Sequence, residues 1–371
     1  MPRLFRLTTI LMAACLATGL AGGRASGAGS EEKRLFIYNW ADFIGRNTIA
    51  DFEKRTGIKV VYDLYDAEET MEARLMAGSS GYDVVFASTN FFGREIRAGV
   101  YQPLDRALLP NWKNLDPRIL AIQDAYDPGN RHAVPYMHAI NGFAYNVAKI
   151  RERMPDAPVD SLDMIFNPAI VAKFADCGIS FLDSPEDVIQ LALLYLKRDP
   201  NTTRAEDFKA AEELLLKVRP YVRSFDSAEY MNGLANQEVC IAMSWSSDYA
   251  NARARGRAVG LDVPLAFTVP KEGANQNFSS LLIPEGAPHP QAAHRFLNYL
   301  LEPAVIAAIT NETYYGNDNL ASRPLVNPAI LADVALYPTP AMESRLYRTL
   351  EIDPATQRLM TRSWTRIKTA K

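Results

Sequence analysis

The alternation that decides the fold is carried by three short runs, RLFIYN at 34–39, IKVVYDLY at 58–65 and DVVFA at 83–87. These runs are rich in β-branched and aromatic residues, which favour strands. Helix-like segments at 47–55 and 68–77 separate them, and a glycine follows each segment and can end the helix. The order strand, helix, strand, helix, strand predicts an α/β fold with largely parallel sheets.

The same alternation restarts later in the chain. Strand-like runs at 179–182, 239–245 and 265–269 occur among helix-like segments that include 205–218 and 290–301. No flexible linker separates the two α/β units, so we expect two lobes joined by more than one crossing of the chain. A ligand would then lie between the lobes, at the carboxyl ends of strands.

The amino terminus resembles an export signal. Arg3 and Arg6 form a short basic region, an apolar stretch covers 7–20, and small residues fill 21–29. We expect cleavage near Ala28 and a periplasmic location.

An alternative to cleavage by a general signal peptidase is a lipid anchor at Cys15, because LMAAC at 11–15 is a loose lipoprotein motif. No other stretch approaches the roughly 20 apolar residues that a membrane span needs. The processed protein is therefore expected to be soluble.

The charge balance limits the class of partner. The chain has 371 residues, 40 basic and 43 acidic, with a formal net charge of −3. Loss of residues 1–28 removes three arginines and no acid, which makes the protein more acidic still. Such a protein is a poor candidate for binding nucleic acid and a suitable one for a small cation. We expect a monomer.

The signatures of common enzyme and metal sites are absent from the sequence. It contains no GxxxxGK[ST], HExxH or GxSxG motif, and no Cys or His is placed at the spacing of metal ligands. Cys177 and Cys240 would remain after export, and an oxidising compartment favours a disulfide between them, two buried thiols being the alternative. We predict no catalytic residue, metal or cofactor, and treat a secreted enzyme as the least favoured hypothesis.

Aromatic and acidic side chains meet where predicted strands end. The runs are YNWADF at 38–43, SPED at 184–187 and WSSD at 245–248, and a tyrosine pair follows at 314–315. Moving an ammonium group out of water without a partner of opposite charge costs on the order of several kcal/mol. A carboxylate offers it a charge-assisted hydrogen bond, and an aromatic ring adds roughly 0.5–2 kcal/mol of cation–π attraction. The pattern is typical of an amine pocket.

Each of these residues also has a structural interpretation. A tryptophan such as Trp245 is often a core residue, and Asp187 or Asp248 would suit the first turn of a helix, where a negative charge is stabilised.

The chain also resembles a known family, the periplasmic polyamine-binding proteins of ABC importers, and is most similar to the putrescine-binding branch. The resemblance covers nearly the whole processed chain. Its matching segments are 37–44, 56–63, 75–79, 135–137, 181–186, 296–301 and 363–365.

The resemblance implies a type II periplasmic binding protein fold, with two α/β lobes that close on a ligand in the cleft. It also implies docking on an inner-membrane ABC permease. The expected organisation is a signal peptide at 1–28, lobe 1 at 29–139 and 262–315, and lobe 2 at 140–261 and 316–371.

The resemblance further implies a ligand site with aromatic walls and a carboxylate for an ammonium group. The implied ligand-binding residues are Trp40, Ala41, Asp42, Phe43, Ser88, Asn90, Phe91, Asp187, Trp245, Asp248, Asn277, Ser279 and Tyr315. Trp40, Phe91 and Tyr315 would be walls, and Trp245 would face the ammonium group that Asp248 holds.

The remaining carry-overs concern polar groups and the cysteines. Asp42 and Asp187 would be further carboxylates, Asp187 being shorter than the usual Glu, and Ser88 would supply a hydroxyl group. Cys177 and Cys240 match the disulfide pair of the family.

Four positions depart from the putrescine binders. Ala41 stands where they have Ser or Thr, Phe43 replaces a Tyr, Asn277 replaces an aromatic residue, and Ser279 takes the place of an Asp that binds an ammonium group. Either another acid takes over, or one end of the ligand is held differently. Spermidine, agmatine and an acylated diamine stay open as ligands, and a ligand-sensing subunit of the same fold is an alternative to a transport protein.

Overall fold

The computed structural model describes residues 33–65 and 67–370. The predicted signal peptide at 1–28 and the candidate anchor Cys15 lie outside the described residues. The strands are β1 Arg34–Trp40, β2 Lys59–Tyr65, β3 Val84–Ser88, β4 Ala133–Asn146, β5 Ile179–Phe181, β6 Ser224–Phe225, β7 Ile241–Trp245, β8 Leu265–Thr268, β9 Ala274–Leu282, β10 Gly316–Asn317 and β11 Leu346–Tyr347.

Helices connect these strands and cover the sheets. They are α1 Thr48–Thr56, α2 Glu68–Met76, α3 Thr89–Arg97, α4 Pro117–Gln123, α5 Val147–Arg153, α6 Asp163–Phe166, α7 Pro168–Val171, α8 Pro185–Tyr195, α9 Ala205–Val218, α10 Tyr230–Ala235, α11 Ser246–Ala258, α12 Pro290–Leu300, α13 Pro303–Thr313, α14 Pro328–Leu331, α15 Pro340–Glu343 and α16 Pro354–Thr369. Many begin with proline, whose fixed φ suits the first helical position and whose missing N–H is not needed there.

The strands pair in the order β2-β1-β3-β9-β4-β7-β5-β6, with β8 and β10 added to β4 and β11 added to β9. The pairs β1–β2, β1–β3, β5–β6 and β5–β7 are parallel, as predicted. The pairs that β9 makes with β3 and β4, and those that β4 makes with β7, β8 and β10, are antiparallel. The expectation of largely parallel sheets is therefore corrected to a mixed sheet, because β4 and β9 run antiparallel to the strands beside them, except in the parallel pair of β9 with β11.

The first core surrounds β1, β3 and β9. Alternate residues of β3 point to opposite faces, Val84 and Phe86 to one apolar cluster and Val85 and Ala87 to another. A strand that is apolar on both faces needs a helix layer on each side. Phe296 of α12 and Phe92 of α3 come from those two layers.

The second core surrounds β5 and β7 and includes Ile179, Ile241 and Met243. Trp364 of α16, near the end of the chain, also packs in this core. A disulfide joins Cys177 to Cys240 with a Cα–Cα distance of 5.5 Å, which confirms the predicted pairing.

Strand β4 belongs to both sheet regions. Its residues 133–140 pair with β9 beside the first core, and residues 141–146 pair with β7 and β8 beside the second. Gly142 lies where the strands approach closely, because a Cβ built there would lie 2.2 Å from the carbonyl oxygen of Thr268. More than one crossing of the chain was expected from the sequence, although β4 itself was not predicted as a strand.

Within residues 33–65 and 67–370, no helix combines the length and the apolar character needed to cross a membrane.

Candidate ligand-binding site

Asp248 is the buried carboxylate around which the first end of the site is built. Strand β7 ends at Trp245, α11 begins at once, and Asp248 falls in the first turn of that helix. One carboxylate oxygen accepts a hydrogen bond from the hydroxyl group of Tyr315 at 3.0 Å, and the other accepts one from Tyr230. Tyr230 packs in the second core, whereas Tyr315 packs against the first. The carboxylate is thus held from both sides.

Among the residues that the structure describes, the hydrogen-bond partners of Asp248 include no cation that would balance its charge. Burial raises the pKa of this carboxyl group to about 6, although the two tyrosine hydroxyl groups and the charge of Arg255 favour the ionised form. A carboxylate whose pKa is raised by burial gains from a cation placed beside it. The geometry therefore suits an ammonium group.

Asp187 is a second buried carboxylate at the start of a helix. The hydroxyl group of Ser184 caps α8, and the side-chain amide of Asn141 donates to Asp187 at 2.9 Å. Burial raises the pKa of Asp187 to about 6, while hydrogen bonds from Ser184, Asn141 and Trp245 oppose that shift. Asn141 and Trp245 are paired residues of β4 and β7, so that the crossing strand positions both partners.

Three of the predicted aromatic residues lie where β1 and α13 end, namely Trp40, Phe43 and Tyr315. The ring of Trp40 lies 4.5 Å from that of Tyr65, and Phe43 meets the ring of Tyr315 edge-on at 4.7 Å. Phe43 is buried and packs in the first core. Its aromatic character therefore supports the position of Tyr315, and through it the Asp248 carboxylate.

The loop after β1 carries Ala41 and Asp42, and both are exposed. Asp42 has a φ of 55°, a left-handed conformation that Asp tolerates better than most residues. Its carboxylate accepts a hydrogen bond from the guanidinium group of Arg255 at 2.9 Å. This contact joins the loop after β1 to α11.

Three polar residues follow one another where β3 passes into α3. The hydroxyl group of Ser88 donates to Glu68, that of Thr89 donates to Asn277 at 3.1 Å, and the amide of Asn90 donates to Glu186 at 3.1 Å. These contacts bring the start of α3 to β9 on one side and to α8 on the other.

Ser279 and Phe91 complete the predicted set. Ser279 is the cross-strand partner of Ser88 in the pairing of β3 with β9. Phe91 is buried, and the guanidinium group of Arg94 covers its ring at 4.2 Å.

Several of the predicted residues, together with partners that they contact, form two groups. The Asp248 end comprises Asp248, Tyr230, Tyr315 and Trp245. The Ser88 end comprises Ser88, Ser279, Asn277 and Glu68. Asp187 contacts the Asp248 end through Trp245.

Sequence reasoning missed several residues that contact the predicted ones, namely Glu68, Asn141, Glu186, Tyr230 and Arg255. Glu186 adjoins Asp187 in the SPED run, so the sequence contained a signal for it. Nothing local marks Tyr230 or Glu68, because their roles depend on contacts with distant segments.

No cluster of three or more His, Cys, Asp or Glu residues in the described part of the chain is arranged to hold a metal ion. A cavity of about 400 Å³ is lined by Arg118, His138, Asp318 and Arg323 among others, and by none of the predicted ligand-binding residues.

Comparison with known proteins gives one family and several close relatives. The family described as bacterial extracellular solute-binding protein matches residues 47–336. The putrescine-binding periplasmic protein PotF of Escherichia coli (strain K12) is 44% identical over 92% of this chain and 93% of its own length. The putrescine-binding periplasmic protein SpuD of Pseudomonas aeruginosa (strain UCBPP-PA14) is 45% identical over 96% of this chain and 98% of its own length.

A solved structure from Listeria monocytogenes, a putative spermidine/putrescine ABC transporter, has a TM-score of 0.82 at 27% identity. The match covers 91% of this chain and 100% of that chain.

Proposed function

This chain belongs to the bacterial extracellular solute-binding protein family, and from that premise we propose that it captures a small diamine or polyamine and delivers it to an ABC permease. Its fold is the type II periplasmic binding protein fold, as its likeness to solved binding proteins shows. The names of its relatives support the ligand class, and the site residues support the way in which the ligand is held.

The observation that carries the proposal is the environment of Asp248. This carboxylate is 3% exposed, is contacted by two tyrosine hydroxyl groups, and lies three residues after Trp245. The guanidinium group of Arg255, whose charge acts on Asp248, donates its hydrogen bonds to Asn232 and Asp42 instead. A ligand ammonium group would supply the charge-assisted partner that the carboxylate lacks. The Trp245 ring would supply a cation–π contact.

Capture depends on segments from both cores. Tyr315 joins the first core to Asp248, and Asn90 joins α3 to Glu186 of α8. A ligand between these segments would favour the closed arrangement by contacting both sides at once, since a ligand shifts a conformational equilibrium by its differential affinity. A permease that recognises the closed form would then read occupancy.

The remaining parts of the proposal concern location and partners. We infer a periplasmic location, with the predicted signal peptide at 1–28 or the alternative lipid anchor at Cys15, and a monomer that carries no cofactor and catalyses no reaction. The lobe bounds remain those predicted from the sequence, 29–139 with 262–315 and 140–261 with 316–371.

The test is a ligand panel on the purified protein. Thermal-shift and calorimetric titrations with putrescine, cadaverine, agmatine, spermidine and spermine should show saturable stabilisation by one or more of them, because a ligand that binds only the folded state raises its melting temperature. The acetylated form of putrescine tests whether one end of the ligand is neutral. If no amine in the panel stabilises the protein, the proposed ligand class is wrong.

A second measurement avoids the choice of ligands. Mass spectrometry of protein purified without added amine, and then denatured, should release the bound solute if it co-purifies. A solute without a basic nitrogen would contradict the proposal.

A further inference from the structure

The Ser88 end has lost a carboxylate that the resemblance leads one to expect. Position 279 carries a serine, and Ser279 faces Ser88 across the pairing of β3 with β9. Side chains of directly paired residues lie on the same face of a sheet, with Cβ atoms about 4.5–5.5 Å apart. Any carboxylate bound to Ser88 therefore lies close to the position that a carboxylate at 279 would occupy.

Glu68 is such a carboxylate. It is the first residue of α2, and its side chain turns inward to the end of β3. One oxygen accepts the backbone N–H of Ser88 at 2.6 Å, and the other accepts the Ser88 hydroxyl group. Glu68 is 8% exposed. An acidic side chain in the first turn of a helix is stabilised by the helix dipole even when it is exposed, so this interaction alone does not require Glu68 to be buried.

The surroundings of Glu68 are acidic. The negative charges of Glu95 on α3 and Glu186 on α8 help to raise the pKa of Glu68. The charge of Glu68 in turn helps to raise the pKa values of Tyr65 and Tyr101. Burial is the main cause that raises the pKa of Glu68 to about 8.

The charge of Arg94 lowers the pKa values of Glu95 and Glu186 but is not among the causes that shift the pKa of Glu68. Arg94 donates to both oxygens of Glu72, at 2.6 and 2.8 Å, and so is already paired. The region thus contains more buried carboxyl groups than cations, which is costly unless a cation arrives from outside.

We propose that Glu68 receives the second ammonium group of the ligand, in place of the carboxylate missing at position 279. The inference rests on the proposed function and adds the residue that sets the preference for a diamine. Trp40 is suitably placed to cover the same ammonium group, because its ring packs on Tyr65, and the charge of Glu68 reaches that tyrosine. The first ammonium group stays with Asp248.

The test compares a diamine with a monoamine of the same length. In Glu68→Gln, calorimetric affinity for putrescine should fall by about 10-fold to 100-fold, because a hydrogen bond to a charged partner is lost. Affinity for butylamine, which has one ammonium group, should change by less than about 2-fold. Glutamine retains an acceptor for the Ser88 N–H, so the ligand-free variant should melt no lower than the unaltered protein.

A matched control is available in the second core. Glu272 accepts a serine hydroxyl group and a backbone N–H, as Glu68 does, but from two successive residues: the hydroxyl group of Ser161 at 2.5 Å and the N–H of Leu162 at 3.1 Å. Glu272→Gln should leave putrescine affinity unchanged. Adding Ser279→Asp to Glu68→Gln should restore diamine affinity, because it returns a carboxylate to the facing position.

The outcomes separate the inference from the proposed function. If the unaltered protein binds a diamine and Glu68→Gln binds it within about 2-fold as well, the inference is wrong and the proposed function stands. Equal losses for putrescine and butylamine would likewise overturn the role in the second ammonium contact. If the unaltered protein binds no amine, the proposed function fails, and the inference with it.

Discussion

The Asp248 end and the Ser88 end hold their carboxylates by different means. Asp248 follows a strand directly and accepts two tyrosine hydroxyl groups, one from each core. Glu68 comes from the first turn of a helix and accepts a backbone N–H and a serine hydroxyl group. In the proposed mode of binding, one end combines a buried carboxylate with aromatic residues that suit any amine. The other end uses Glu68, a buried acid whose position differs from that expected by resemblance.

The largest effect should come from the Asp248 end. Replacing Asp248 by Asn should lower the binding free energy for putrescine by about 1.5–3 kcal/mol, roughly 10- to 100-fold in Kd, because a charge-assisted hydrogen bond is lost. Calorimetric titration measures the change. Asp353→Asn is the control, since Asp353 caps α16 and Asn caps equally well. An unchanged affinity in Asp248→Asn would reject its role as the anchor.

The pH dependence should distinguish the two ends. Burial raises the pKa of Asp248 to about 6 and that of Glu68 to about 8. An amine stays protonated across this range because its pKa is about 10. It favours ionised carboxylates, so binding releases protons, and affinity should rise from pH 5 to pH 8. Asp248→Asn should flatten the lower part of this rise and Glu68→Gln the upper part.

Stability without ligand should change in the opposite direction. The folded protein keeps protons on these carboxyl groups that the unfolded chain, with carboxyl pKa values of about 4, has already released. The free energy of unfolding should therefore fall as the pH rises from about 5 to 8. Chemical denaturation at four pH values measures this. Glu68→Gln should make the fall shallower, while the part due to Asp248 remains, and identical slopes for the variant and the unaltered protein would contradict the assignment.

A smaller effect should follow from the hydroxyl group of Tyr315. Tyr315→Phe keeps the ring that meets Phe43 and removes one donor to Asp248, so affinity should fall by about 0.5–1.5 kcal/mol. Tyr314→Phe is the matched control, because the structure shows no hydrogen bond from that hydroxyl group among the residues it describes. Equal affinities for the two variants would show that the Tyr315 hydroxyl group does not matter.

The smallest effect should come from the ion pair between Asp42 and Arg255, whose side chains are 69% and 35% exposed. An exposed pair contributes about 0–1 kcal/mol and is screened by salt. Arg255→Gln should therefore change Kd by a few-fold at most at low ionic strength and hardly at all at high ionic strength. A large loss that persists in salt would place Arg255 in the ligand contacts instead.

Much of the fold could be predicted from local patterns. The runs at 34–39, 58–65 and 83–87 all became strands within one or two residues of the expected bounds. The crossing strands β4 and β9 were not identified as strands. They contain Pro135, Gly142 and the polar run ANQN at 274–277, so they lack the simple apolar alternation that marks a strand. Their pairing partners are also far away in the sequence.

The site was predictable where strand ends carry aromatic and acidic residues together, as at Trp245 and Asp248. It was not predictable where a partner arrives from another element. Tyr230 lies 18 residues before Asp248, and Glu68 lies 20 residues before Ser88, and in each case only folding brings the two together.

The division of each core between separate parts of the chain has a consequence for folding. The first core needs α12 and α13 as well as the strands near the amino terminus, and the second core needs Trp364 of α16. During synthesis, which proceeds from the amino terminus, neither core can close until most of the chain is available. Chain entropy is then lost in closing long loops before the long-range contacts form that offset this loss, and such topologies fold slowly. Truncation by the single helix α16 would leave the second core open.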